Sequence, residues 1–185
     1  MEITIAIRNI RKDKDGILRK VSKPVDKITP GIDTLIDDMV DTLEDADGAG
    51  IAAVQVGVLR RIAIVKNPDT EKIYVLINPA VMENGGTQEK LEACLSISGL
   101  AGIVPRPAKM HIKAQNRYLQ DFTLEAGGLF AIIIAHELDH LDGVLFTDKA
   151  SRIMEINSPE YREILERETR EDNRPIRKKQ KQRRR

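Results

Sequence analysis

Residues 136–140 read His-Glu-Leu-Asp-His, a pentapeptide with the residue types and the spacing for metal chemistry. On an α-helix, His136 and His140 lie one turn apart on the same face, so both imidazoles can bind one metal ion. Glu137 lies between them and can take a proton from a metal-bound water. Two imidazole nitrogens, a base and an open coordination position are what metal-assisted hydrolysis requires. The alternative is an amphipathic helix with two incidental histidines, but the chain has only three histidines in all.

Two histidines leave a catalytic metal site one protein ligand short. Cys94 is the single cysteine of the chain and the natural candidate, because a thiolate binds Zn²⁺ and Fe²⁺ strongly. A lone cysteine is otherwise most often a small buried apolar residue. A single cysteine also excludes an intramolecular disulfide and is compatible with a reducing cytosol.

Periodicity predicts the elements that position these residues. Thr29 can cap a helix that begins at Pro30 and ends near residues 47–48, with apolar residues at helical spacing from Ile32 to Leu43. The helix with the two histidines should run from about residue 129 to 142, with Gly143 as its stop, and a last helix from about 159 to 170. Strands are expected over 4–10, 62–66, 73–78, 109–114 and 122–125, with a turn at 84–86. Mixed strands between well-marked helices indicate an α+β domain.

Length and composition narrow the class of protein. A chain of 185 residues suits one domain, and with 3% aromatic residues and no Trp its core must be aliphatic. The longest apolar stretch, residues 127–135, is far shorter than the roughly 20 residues of a membrane span. The first residues lack the basic and apolar regions of a signal peptide. We therefore expect a cytoplasmic protein without a membrane partner.

The charge is distributed unevenly along the chain. Residues 174–185 contain eight basic residues and no acid, and without them the net charge of +1 becomes −7. This basic tail has too few apolar residues for packing and is expected to be disordered when free. It would be attracted to a polyanion, most plausibly RNA, by counterion release. The alternative is a solvated tail that aids solubility.

Three segments, in order, resemble the motifs of the peptide deformylase family. Residues 48–55 read Gly-Ala-Gly-Ile-Ala-Ala-Val-Gln, residues 92–96 read Glu-Ala-Cys-Leu-Ser, and the third is the His-Glu-Leu-Asp-His pentapeptide. The similarity also covers residues 77–79 (Ile-Asn-Pro) and 140–146 (His-Leu-Asp-Gly-Val-Leu-Phe), and spans roughly residues 5–150. Each motif is weak or moderate alone, whereas three in order are strong.

The resemblance implies an enzyme that removes the N-formyl group from the initiator methionine of nascent polypeptides, by attack of metal-bound hydroxide on the formyl carbon. Cys94, His136 and His140 would be the metal ligands, and the ion would be Fe²⁺, with Zn²⁺, Ni²⁺ or Co²⁺ as alternatives. Glu137 would move the proton, while the Gln55 amide and the Leu95 backbone N–H would stabilise the oxyanion. Without its flanking motif, Gln55 would be interpreted as a surface or turn residue.

The same resemblance implies antiparallel sheets around a central metal-binding helix. We expect a deformylase-like catalytic domain over residues 1–150, a C-terminal helical extension over 151–172 and the basic tail over 173–185. A further hypothesis is that the tail tethers the protein to the ribosome or its RNA, whereas no DNA partner is expected.

A methionine side chain requires an apolar pocket. Leu129, Ile132 and Ile133 share one face of the metal helix with His136, and Ile51 is expected to close the opposite side. The bland alternative is that these residues are simply core. Gly48 and Gly50 would let the backbone pass close to the substrate.

Two further predictions concern charged side chains near the motifs. The family resemblance and the spacing imply that Glu92 pairs with Arg106 and fixes the cysteine loop. His111 lies in the expected strand over residues 109–114 and is interpreted as structural.

Three positions depart from the family pattern: Ala93 and Ser98 replace a usual Gly and Pro, and Ala135 replaces a usual Gln. No proposed ligand, base or donor is lost. We expect Ala93→Gly to leave activity unchanged or to raise it. The competing hypotheses are a zinc peptidase, which unformylated peptides would reveal, and a non-catalytic RNA-binding protein that uses the tail.

Overall fold

The structure, a computed structural model, describes residues 6–172 and is organised around the helix α2, Gly128–Leu141. This helix contacts strands of both sheets, and nearly all of its side chains are buried. It begins after Gly127, and Gly143, with φ of 73°, follows its last turn. The expected metal helix is therefore confirmed to within one residue at each end.

The helix α1, Pro30–Asp45, begins at the Thr29 cap, whose side chain accepts a hydrogen bond from the Ile32 N–H. Its apolar face packs on one sheet, and the buried residues of this cluster are aliphatic. They include Leu35, Ile36, Met39 and Leu43 of the helix and Ile62, Ile64 and Ile77 of the sheet. The aliphatic core follows from the scarcity of aromatic residues.

An antiparallel five-stranded sheet has the order β1-β2-β3-β6-β7. Its strands are β1 (Gly50–Ala52), β2 (Ile62–Lys66), β3 (Ile73–Gly85), β6 (Lys109–Gln115) and β7 (Asp121–Gly127). One face of the sheet packs on α2 through buried residues that include Val65, Leu76, Ile112 and Ile134. The short 3₁₀ helix Ala53–Val56 follows β1 directly and contacts α2.

A second, three-stranded antiparallel sheet has the order β4-β5-β8, formed by β4 (Gln88–Cys94), β5 (Ile97–Arg106) and β8 (Arg152–Glu155). The sequence analysis predicted none of these strands. β4 reads Gln-Glu-Lys-Leu-Glu-Ala-Cys, and its mostly charged and polar residues do not give the apolar alternation of a half-buried strand. This sheet carries Cys94, which lies at a bulge between β4 and β5.

The expected strand over residues 4–10 is wrong for the residues that are described, since residues 6–10 belong to no strand. They run beside α1 instead, where the Arg8 N–H donates to Thr42 Oγ1 and the Arg8 guanidinium pairs with Asp38. Residues 4 and 5 lie outside the described residues. Strand β3 is longer than predicted and extends through Gly85, so the expected turn begins two residues later, around Gly86.

The chain continues through the short helix α3, Phe146–Lys149, and β8 into the helix α4, Pro159–Asp172. Ile164 of α4 packs with Ala101 and Met154, so α4 lies against the three-stranded sheet. The expected disordered tail over 173–185 lies outside the described residues. No helix within residues 6–172 is long and apolar enough to cross a membrane.

Candidate metal centre

Three side chains of the types that bind metals, from β4 and α2, converge in one place. Cys94 at the end of β4 and His136 and His140 of α2 offer ligand atoms that all lie within 4.8 Å of one another. Cys94 Sγ lies 3.2 Å from His140 Nε2, and the two imidazole rings have centroids 4.9 Å apart. Sulfur and imidazole nitrogen ligands suit Zn²⁺ and Fe²⁺, so the residues present fit a divalent transition metal. Their spacing of four residues on α2 is what places both histidines on one face.

The orientation of His136 is set by a buried carboxylate. His136 Nδ1 lies 2.9 Å from Glu92 Oε2, which leaves Nε2 as its ligand atom. Arg106 holds Glu92 in turn with two hydrogen bonds of 2.7 and 2.9 Å, and it also binds Asp139 Oδ2 at 2.5 Å. The expected pair between Glu92 and Arg106 is therefore present, and it ties β4 and β5 to α2. Lys149 completes the network by donating to Asp139 Oδ1 at 2.6 Å.

Glu137 is a buried acid next to His136 on α2, with 3% of its surface exposed. Its Oε2 has no hydrogen-bond partner among the side chains that the structure describes. Gly50 faces it so closely that a Cβ at that glycine would lie 2.6 Å from Glu137 Oε1. A side chain at position 50 would therefore displace the carboxylate.

The Gln55 amide is held with its nitrogen toward Cys94. Gln55 Oε1 accepts a 2.7 Å hydrogen bond from the Ala52 N–H, so Nε2 points the other way. Nε2 donates to Ser96 Oγ at 3.2 Å and lies 3.7 Å from Cys94 Sγ. The Ser96 N–H donates to the same sulfur at 3.4 Å. Ser96 is a site residue that the sequence analysis quoted but gave no role, because only the fold brings it beside Gln55.

A cavity of about 340 Å³ opens beside these groups. Its walls contain the predicted Leu129, Ile132 and Ile133 of α2, Gly48 and Gly50, and Leu91, Ala93 and Leu95 around the cysteine. Gln55, Cys94, His136 and Glu137 form its polar end. The arrangement offers an apolar pocket with the Cys94–His136–His140 cluster and the acid Glu137 at its polar end.

Ile51 does not line this cavity. Its side chain is fully buried in the aliphatic cluster beneath α1, on the other side of β1 from the pocket. Because alternate residues of a strand face opposite sides, Gly50 lies against Glu137 while Ile51 faces the core. His111 also lies away from the cavity, on β6 opposite Glu83 and Glu125.

Burial and neighbouring charges set the protonation of the site. Burial raises the pKa of Glu137 to about 7, and the nearby Glu92 and Asp139 add to this rise against His136 and Arg106. A carboxyl group that titrates near neutrality is matched to accepting and returning a proton. For Glu92, burial opposes ionisation, but the hydrogen bonds from Arg106 and His136 outweigh it and lower the pKa.

The pKa values of His136 and His140 are shifted in opposite directions. Burial, with the positive charges of His136 and Arg106, lowers the pKa of His140 to about 3, which keeps its imidazole neutral for metal binding. Burial also opposes protonation of His136, yet the hydrogen bonds to Cys94 and Glu92 raise its pKa to about 10. A metal bound by these atoms must displace that proton, so metal binding is expected to release protons.

The departures at positions 93, 98 and 135 leave this geometry intact. Ala93 is exposed on β4 and has no positive φ, so its backbone does not need glycine. Ser98 is exposed, and Ala135 is buried on α2, where a small side chain packs without a polar group to satisfy.

Comparison with known proteins identifies a family whose members resemble this chain over most of its length. The polypeptide deformylase family model matches residues 7–155. The chain is 48% identical over 158 residues to the peptide deformylase of Acetivibrio thermocellus. The aligned residues cover 85% of this chain and 92% of that protein.

Solved structures resemble the whole fold. The crystal structure of a peptide deformylase from Legionella pneumophila has a TM-score of 0.76 at 36% identity and covers 92% of this chain and 100% of its own. A class I type b peptide deformylase from Acinetobacter baumannii, solved with Met-Ala-Ser bound, has a TM-score of 0.73 at 28% identity, covering 78% of this chain and 98% of its own. Because the family model spans both sheets and α2, and the relatives match over most of their length, the chain belongs to the polypeptide deformylase family.

Proposed function

We propose that this protein removes the N-formyl group from the initiator methionine of nascent polypeptides at a metal centre formed by Cys94, His136 and His140. Removal of this group is the activity of the family to which the chain belongs. The observation that carries the assignment of residues is the convergence of three ligand atoms within 4.8 Å beside a buried carboxyl group.

The ligand set supports a divalent ion, and we propose Fe²⁺ as the ion used, with Zn²⁺, Ni²⁺ or Co²⁺ able to replace it. When bound, such an ion supplies the Lewis acidity that makes water nucleophilic near neutral pH and polarises the formyl oxygen. The protein fixes the ion through the Glu92–His136 hydrogen bond of 2.9 Å, which orients one imidazole.

Glu137 is proposed as the group that moves the proton. Its carboxylate lies at the floor of the cavity with Oε2 free of hydrogen bonds to the described residues. It accepts a proton as the nucleophile forms and delivers it to the nitrogen of the leaving amine. Its raised pKa makes both transfers feasible near neutral pH.

Gln55 and Leu95 are proposed as the oxyanion donors. The Gln55 side-chain nitrogen lies 3.7 Å from Cys94 Sγ, and its orientation is fixed through Oε1. Leu95 follows the cysteine directly and lines the same cavity. Donors that are fixed before the reaction stabilise the charge on the tetrahedral oxygen without reorganisation.

The apolar wall is proposed as the binding site for the methionine side chain. Ile132 and Ile133 lie one turn before His136 on α2, and Leu129, which is 52% exposed, lies at the mouth of the cavity. Gly48 and Gly50 form the opposite wall without side chains. The related Acinetobacter baumannii structure, with bound Met-Ala-Ser, supports a peptide with an N-terminal methionine as the ligand of such a cavity.

The direct test is formate release from formyl-Met-Ala-Ser by protein purified without oxygen and loaded with Fe²⁺ or Ni²⁺. We expect formate from the native protein and from Glu125→Ala, whose acid is exposed on β7, but not from Glu137→Ala. Unformylated Met-Ala-Ser should remain intact, whereas its cleavage would favour a peptidase. Absence of formate at full metal occupancy would overturn the proposal.

We also propose that residues 174–185, with eight basic residues, hold the protein near ribosomal RNA in the cytoplasm. Deletion of these residues should weaken binding to ribosomes in a salt-dependent way and leave the hydrolysis of short peptides unchanged. Equal ribosome binding at low salt with and without the tail would contradict this. The division into a catalytic domain over 1–150, an extension over 151–172 and the tail over 173–185 stays a prediction.

A further inference from the structure

Two consecutive residues before the first helix hold both segments that carry the proposed oxyanion donors. The Arg11 N–H donates to the backbone oxygen of Gln55 at 2.7 Å. The Lys12 ammonium donates to the backbone oxygen of Leu95 at 2.8 Å, across 83 residues of sequence. Residues 11 and 12 therefore connect the two donor segments from outside the cavity.

Lys12 contacts a peptide group that also contacts Cys94. The Leu95 oxygen belongs to the peptide group that links Leu95 to Ser96, and the N–H of that same peptide group donates to Cys94 Sγ at 3.4 Å. A positive charge on the oxygen of a peptide group polarises the group and makes its N–H a stronger donor. Lys12 can therefore act on the thiolate through one peptide group without touching it.

A solvated lysine that contacts a carbonyl only incidentally is the alternative, because Lys12 is exposed. Its acidic neighbours Asp13 and Asp15 offer closer partners in sequence, yet the ammonium lies on the Leu95 oxygen instead. Asp15 already accepts from the Ile17 N–H and pairs with Arg11 at 3.6 Å. The choice of a neutral oxygen beside the cysteine indicates a specific role.

We propose that Lys12 is a positioning residue of the metal centre, which fixes the cysteine loop and strengthens the hydrogen bond from the Ser96 N–H to Cys94 Sγ. This inference rests on the proposed function. A stronger hydrogen bond withdraws electron density from a ligand sulfur and leaves the bound metal more electron-poor. The same contact restrains the backbone of Leu95, whose N–H is the second proposed oxyanion donor.

The test compares Lys12→Met with Lys12→Arg and with Lys14→Met, a change at an exposed lysine two residues away. Each variant is loaded with Co²⁺, and the sulfur-to-cobalt charge-transfer band is recorded. Since a weaker hydrogen bond makes the thiolate a better electron donor, Lys12→Met should shift the band to longer wavelength. Lys12→Arg should restore the native position, and Lys14→Met should not move it.

Kinetics on formyl-Met-Ala-Ser give the second measurement. Mutation of residues that orient metal ligands typically lowers activity by about 10- to 100-fold. Because the contact of Lys12 is exposed and indirect, we expect kcat to fall about three- to tenfold in Lys12→Met, with KM within about twofold of the native value. Thermal unfolding of each variant confirms that it is folded, and Lys12→Gln serves if Lys12→Met is not.

An unchanged band in Lys12→Met would overturn the proposal, even if kcat fell, because the residue would then act on the fold alone. Equal shifts in Lys12→Met and Lys14→Met would overturn it as well. If the native protein releases no formate, the proposed function fails, while the position of the cobalt band still decides whether Lys12 acts on Cys94.

Discussion

Glu137 is an acid in a place that disfavours its charge. It is 3% exposed, and its pKa is raised to about 7 chiefly by burial. A carboxylate so poorly solvated binds a proton more strongly than an exposed one. When it is ionised, it lowers the stability of the folded state. Function and stability should therefore respond in opposite directions when this group is neutralised.

Replacing Glu137 with Gln should abolish most of the activity, because general acid–base catalysis contributes about 10²–10⁴-fold. In the metal-free protein, folded Glu137 keeps its proton up to about pH 7. In the unfolded state the same group loses its proton near pH 4.5. Ionised Glu137 therefore destabilises the fold as pH rises through this window. Glu137→Gln should raise the melting temperature at pH 8 and change it little at pH 4. The exposed Glu125→Gln is the control, and a melting temperature that falls at pH 8 would contradict the argument.

Gly50 is the residue whose lack of a side chain gives Glu137 its place. A Cβ there would lie 2.6 Å from Oε1 and 2.8 Å from Cγ of a side chain that is itself enclosed. Gly50→Ala should therefore displace the carboxylate and lower kcat by about tenfold or more, since small misplacements of reacting groups are costly. Metal content should be unchanged. Gly85→Ala, where a Cβ meets nothing within 4 Å, should leave the formate assay unaffected.

Among the elements, the junction of β4, β5 and α2 depends on a buried ionic network. Arg106 is 3% exposed and joins Glu92 of β4 to Asp139 of α2, while Glu92 also orients His136. Opposite charges satisfy one another here, although neither would be stable alone in this environment. The network fixes the position of the strand that carries Cys94 relative to the helix that carries the histidines.

Glu92→Gln should lower the free energy of unfolding by about 2–4 kcal/mol at pH 7, because it leaves Arg106 with part of its charge unpaired. The pKa of Glu92 is lowered in the folded state, so its contribution is present above the ordinary value of 4.5 and is lost as pH falls through the lowered value. Urea unfolding from pH 7 to pH 3.5 should show the difference between native and variant shrinking at the acid end. The control is Glu89→Gln on the exposed face of β4, and a difference that is independent of pH would contradict the role of the charge.

For the molecule as a whole, one ion would join the two sheets through α2. Cys94 belongs to the three-stranded sheet, whereas α2 packs chiefly on the five-stranded sheet. A ligand that binds only the folded state stabilises it by mass action. Removing the metal with a chelator should lower the melting temperature by about 5–10 °C, and adding Zn²⁺ should restore it. An unchanged melting temperature, with metal loss verified by elemental analysis, would show that the protein alone fixes the junction.

Much of this protein could be predicted from local sequence. The spacing of four residues between His136 and His140, the Thr29–Pro30 start of α1 and the Gly143 stop of α2 follow from helix geometry and need no distant partner. The family motifs added Cys94 and the deformylase assignment, and the aliphatic composition anticipated the core. The helix features depend on neighbours within one or two helical turns, which is why periodicity reveals them.

Other features depend on contacts between residues far apart in sequence. Strand β4 has few apolar side chains, and it is part of a sheet through its pairing with β5, which also pairs with β8. Ser96 beside Gln55, and Lys12 on the Leu95 oxygen, join residues 41 and 83 positions apart. The direction of the Ile51 side chain was settled by the pleat of β1, which turns Gly50 to the site and Ile51 to the core. Local sequence propensity does not predict such contacts, because the packing of the sheets and the helix creates them.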